Sequence, residues 1–248
     1  VKENVKIKKT HMLNRYIVNF TLRIIVFIAV IIFYILRKEE VIRLMSQPIW
    51  RGFTAIHGLW CIFMIMMIGH LVPNHHASMA IKKSHEQEYE AIEGYSELEL
   101  YRYVQRQNIK AWQIMLFWLS FNAVFGILYL LGIMDEADLL MLTVFYFICD
   151  YICILFYCPF QSIAMKNKCC VNCRIYDWGH FMMFTPMLFI KNFFSWSLFF
   201  TSIVVLIKWE YVYARYPERF WSGSNKKLQC ANCKDRICQI KKKIVSKS

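Results

Sequence analysis

Four stretches of about bilayer length carry almost no charge: Tyr16 to Leu36, Phe53 to Val72, Trp112 to Leu131 and Leu139 to Phe160. A fifth apolar run, Phe181 to Tyr213, is 33 residues long and is interrupted by Lys191-Asn192. About 20 apolar residues suffice for a helix to cross the hydrocarbon core of a membrane. A soluble core helix of that length keeps a polar face. With 58% hydrophobic and only 19% charged residues, the chain has too little polar surface to clothe so many long helices in water. The predicted fold class is all-α, a polytopic integral membrane helix bundle. The first run is too long for a signal-peptide core and lacks a small-residue cleavage site. Arg23 lies just inside it, within reach of the headgroups.

Charge sets the orientation. Residues 1–15 hold Lys2, Lys6, Lys8, Lys9 and Arg15 against Glu3 alone, and from Lys208 onward eleven bases face three acids. Basic segments collect on the cytoplasmic side, so both termini are expected there. The net charge of +13 comes with no nucleic-acid-binding motif, and no nucleic-acid partner is expected. The link Met134-Asp135-Glu136-Ala137-Asp138 has acids and no base, as suits the outside. Two cytoplasmic ends require an even number of crossings. The expectation is about six membrane segments, with residues 181–213 forming an irregular or re-entrant hairpin hinged at Lys191-Asn192. Phe181 to Ile190 alone spans about 15 Å as a helix, so its backbone needs protein cover.

The resulting division is a basic N-terminus over 1–15, a bundle over 16–213 and a basic, cysteine-containing tail over 214–248. Two cytoplasmic loops interrupt the bundle, 73–111 and 161–180. Within the first, Ser84 to Arg106 has acids early and bases late, which predicts a surface helix. Arg37 to Trp50 reads as a polar connection.

Six of ten cysteines fall in two similar stretches, Cys170-Val171-Asn172-Cys173-Arg174 and Cys230-Ala231-Asn232-Cys233-Lys234, with Cys169 and Cys238 beside them. Two C-x2-C turns can supply four thiolates to one ion. Cys170, Cys173, Cys230 and Cys233 are therefore the expected ligands, and Arg174 and Lys234 would offset their charge. Zinc is one candidate. Iron, as an iron–sulfur cluster or an iron–thiolate site, is the other, since clusters take four cysteines and six thiols beside a membrane suit electron transfer. Thiol–disulfide chemistry is a third use. On the fourth run Cys149 and Cys153 share a helical face, and Cys158-Pro159 ends it. Buried cysteines are most often small hydrophobes.

His70, His75 and His76 bracket the end of the second run, and His180 follows the first cysteine stretch. They resemble in part the histidine boxes of membrane di-iron enzymes, with fewer histidines, and define a possible second metal site that Asp177 could complete. His57 and His70 have no matching pair on another run, so a bis-histidine haem is not expected. Asp150 stands inside the fourth run. An acid there is costly and needs a partner or a cavity; Arg23 and His57 are the candidates.

The functional expectation is a membrane redox protein whose cysteine-bound iron exchanges electrons with a soluble donor or another membrane subunit. A zinc-stapled transport, scaffold or regulatory protein, and a histidine-dependent metalloenzyme, are the alternatives.

Overall fold

The computed structural model describes residues 10–47, 52–72, 80, 85–167, 169, 172–233 and 238. Among them the fold is helical throughout, with one isolated antiparallel bridge, Ala91 to Asn225. Four helices are long and apolar enough to cross a membrane, and a fifth, shorter apolar helix accompanies them. Helix α1 covers His11–Ser46, α2 Ala55–Leu71, α3 Glu97–Leu130 and α4 Glu136–Leu155. Helix α5 is a short piece, Gly179–Phe184, and α6 covers Phe193–Arg215.

Two boundaries depart from expectation. The polar connection after Arg37 is helical: α1 breaks at Arg37 (φ −145°, ψ 47°) and resumes to Ser46. Val41 and Met45, one turn apart, bury in the core and hold this extension down. The surface helix expected from Ser84 is also different. Gly94 turns the chain at positive φ, and Ser96 accepts from Glu99 N–H to start α3. Beyond that cap no proline interrupts the chain, so the polar turns and the third apolar run form one helix.

Helices α1 and α4 run antiparallel along their length. Asn19 meets Tyr151, Arg23 meets Asp150, and Tyr34 and Lys38 meet Asp138. One end of the bundle therefore gathers the start of α1, the end of α2, the start of α3, the residues after α4 and the end of α6. Lys110 Nζ donates to the Met165 carbonyl there, and Lys208 Nζ to those of His70 and Leu71. At the opposite end Lys38 closes on Asp135 and Asp138, both at 2.8 Å.

Between α4 and α6 the chain descends as α5 and a 3-10 segment, Thr185–Phe189. A 3-10 turn rises about 2.0 Å per residue against about 1.5 Å for an α-helix, so the two pieces reach about 19 Å. That distance takes the chain from Gly179, beside Asp150, to Phe189, beside Gly126 of α3. A Cβ on Gly126 would stand 2.3 Å from the Phe189 ring, so only glycine admits this approach. Phe181, Met183, Phe184, Met187 and Ile190 are all buried, wrapped by α3, α4 and α6. Protein cover of this kind is what an irregular backbone within an apolar bundle needs.

The outside of the bundle is oily. Ile25, Ile28 and Ile32 of α1, Ile62 and Ile65 of α2, Val124 and Ile127 of α3 and Val204 and Ile207 of α6 are all exposed. A soluble monomer rarely shows so continuous an apolar surface, and it suits a face turned to lipid. Polar groups are turned inward and bonded. Trp118 Nε1 donates to Thr185 Oγ1 (3.1 Å), Tyr146 Oη to Asn122 Oδ1 (3.3 Å) and Trp60 Nε1 to Ser197 Oγ (2.8 Å). Such contacts lock helices together where no water competes. Asn122 thus bonds α3 to α4.

Candidate functional site

The first cysteine stretch is tied to the residues just before the second. Asn172, the asparagine of the first, donates from Nδ2 to the Leu228 carbonyl two residues before Cys230 (3.0 Å). The second stretch begins as a 3-10 turn, Cys230–Asn232, closed by Cys233 N–H to Cys230 O at 3.3 Å. Cys173 is buried, Cys169 and Cys233 half-buried, and Cys230 exposed. Cys170 lies outside the described residues, as do Lys234, His75 and His76. Among the described residues, no three His, Cys, Asp or Glu side chains are arranged to hold a metal ion.

Arg174 does not serve the thiols as expected. Its guanidinium forms a two-pronged ion pair with Glu210 of α6, one prong at 2.6 Å, and lies 3.7 Å above the Tyr213 ring. Trp178 Nε1 donates to the same carboxylate (2.8 Å), and Trp209 Nε1 to the Arg174 carbonyl (2.9 Å). These tryptophans, which interfacial composition alone would assign to headgroups, are buried structural donors.

The tail docks by its backbone. Ile92 N–H donates to Ser224 O and Lys226 N–H to Glu90 O, each at 2.9 Å. Asn225, wholly buried, donates to Arg219 O (2.8 Å) and accepts from Lys227 N–H (3.0 Å). Trp221 stacks on Tyr103 with ring centres 5.9 Å apart. The Glu90 carboxylate, 2.7 Å from Lys227 Nζ, holds that ammonium above its ordinary pKa.

Beneath this cap lies a chain of polar groups. Arg23 pairs with Asp150 at 3.0 Å, donates to Phe147 O at 2.6 Å, and is sandwiched by the Phe147 and Tyr151 rings at 4.0 and 3.9 Å. Arg23 is thus the expected partner of Asp150. His57 is not: at the opposite end it accepts Thr54 N–H at Nδ1 (3.0 Å), which leaves Nε2 to donate to Gln47 O (2.9 Å). Gly179 lets the next segment close on the acid; a Cβ there would sit 3.0 Å from Asp150 Oδ1. His70 and His180 come together as expected, ring centres 4.9 Å apart, and His70 Nδ1 lies 3.4 Å from Asp177 Oδ2. His180 Nδ1 is buried with no hydrogen-bond partner among the described residues.

A cavity of about 380 Å³ opens between α3, α4 and the residues around Gly179. Four thiols border it, those of Cys149, Cys153, Cys158 and Cys173, together with Asp150. Asp150 is about a third exposed, 31% of its side chain, and it reaches this cavity. The chain folds back here because Pro159 ends α4 and a π-helical turn, Phe160–Ala164, follows. Cys158 thereby comes beside Cys153 at the border of the cavity. The sequence shows the shared face of Cys149 and Cys153; the cavity in front of it depends on the later fold. Comparison with protein-family models, curated proteins and solved structures finds no match for this chain.

Proposed function

We propose that the protein is a membrane redox protein of six membrane segments, with a cysteine-bound iron centre at the cytoplasmic end of its bundle. Cys170, Cys173, Cys230 and Cys233 are its ligands, with Cys169 and Cys238 nearby. A soluble donor supplies electrons at this exposed end. The observation that carries the reading is the Asn172–Leu228 hydrogen bond, made between positions 56 apart, which holds the first stretch beside the residues that lead into the second. Charge supports the orientation: the start of α1 and the tail, both basic, lie at this same end.

The same geometry weighs against zinc as a mere staple. Backbone pairs, Asn225 and Trp221 already fasten the tail to the bundle. A thiolate centre there has a use beyond fastening.

The test is anaerobic purification of the full chain in detergent, with metal and sulfide analysis and an absorption spectrum on one sample. Iron, with a visible band that bleaches on reduction and is lost in a Cys230→Ser, Cys233→Ser double variant, is the expected result. Zinc without colour sinks the redox reading, and absence of bound metal removes the centre altogether.

A further inference from the structure

The 380 Å³ cavity has the size of a small-molecule site, and its lining is informative. Trp118, Phe145, Tyr146, Tyr157 and Phe160 make most of one wall aromatic. Phe145 and Tyr157 are 49% and 54% exposed on the oily outer surface, so the cavity reaches the face that lipid covers. A ligand can enter from the bilayer without crossing water. Cys153 and Cys158, five residues apart across the turn that ends α4, both border the cavity. An apolar space with aromatic walls selects a flat, apolar molecule, and a neighbouring dithiol selects one that accepts two electrons.

We propose that this cavity binds a membrane-soluble quinone and that Cys153 and Cys158 are the dithiol that reduces it. The step balances without another reactant. Both S–H bonds break, one S–S bond forms, and two electrons and two protons pass to the quinone, leaving a disulfide and a quinol. Cys173 borders the same cavity, which places the first cysteine stretch next to the dithiol that electrons from the iron centre would re-reduce. Re-reduction rests on the iron-centre reading; oxidation of the dithiol by quinone does not.

The experiment uses the full chain in nanodiscs, reduced and freed of reductant. The probe is a fully ring-substituted benzoquinone with a decyl chain, chosen so that thiols cannot add to the ring. Expected are one quinol per protein in a single turnover and a Cys153–Cys158 disulfide peptide by mass spectrometry. Cys153→Ser abolishes both, whereas the unaltered chain stripped of metal by a chelator keeps this single turnover. Cys149→Phe, which fills the cavity and spares the dithiol, slows oxidation by the quinone roughly tenfold or more. The same variant is oxidised at the unaltered rate by the small reagent diamide. Three results overturn the proposal: no quinol above the Cys153→Ser level, a disulfide between other cysteines, or full quinone reactivity in a Cys149→Phe protein that elutes as folded monodisperse material.

Discussion

The two C-x-N-C stretches are nearly the same in sequence and unlike in setting. In the first, Cys173 is 6% and Arg174 7% exposed, and the arginine is tied to Glu210 on α6. In the second, Cys230 and Asn232 are exposed, and among the described residues Asn232 bonds locally, to Lys226 O at 3.1 Å and Gln229 Oε1 at 3.5 Å. Asn172, at the matching position, instead reaches across to the tail. One copy is part of the bundle and the other is docked on it. A short motif fixes which groups are offered, and the packing around it decides which are used.

The largest expected effect tests the first copy. Glu210→Ala strands the buried Arg174 and removes the acceptor of Trp178, and breaking such a pair costs about 3 kcal/mol. Glu210 is itself about a third exposed (36% of its side chain), which keeps the figure at the low end. Thermal unfolding in detergent should show a clear fall, while Cys230→Ser leaves stability unchanged. Equal stability of the two variants would mean that the copies do not differ as described.

Thiol labelling gives the next contrast. In the native, metal-depleted protein a polar maleimide should modify Cys230 quickly and Cys173 only on unfolding, read by mass spectrometry of the two peptides. Comparable rates would place Cys173 at the surface.

The smaller effects separate the two asparagines. Asn172→Ala loses the bond to Leu228 O and should destabilise tail docking by about 1 kcal/mol, seen as faster hydrogen exchange over residues 224–233. Asn232→Ala, being exposed, should change stability by less than about 0.5 kcal/mol. If both behave alike, the cross-link between the stretches contributes nothing to docking.

Much of the fold follows from the order of residues. Long uncharged runs specify helices, and Pro159 specifies where α4 stops. Asp150 inside an apolar run required a partner before any fold was known, and Arg23 was one of two candidates. The break of the last run at Lys191-Asn192 is also local: Asn192 caps α6 by accepting Ser195 N–H at 2.7 Å. The pairing of His70 with His180 was legible as a shared face, though not the contact itself.

What the sequence by itself determined is the inventory: apolar helices, two basic ends, twin cysteine turns and one costly acid. Only the tertiary structure decided the pairings. Arg174 went to Glu210 rather than to thiolate because α6 brings that carboxylate against it, and a buried guanidinium needs a fixed, two-pronged partner. The segment between α4 and α6 finishes on a 3-10 path where Gly126 leaves room for Phe189, a contact between positions 63 residues apart. The cavity beside Cys153 exists because the π-helical turn folds the chain back while α3 stands off. Periodicity reports which face of a helix is apolar; it carries no record of what distant segment that face will meet.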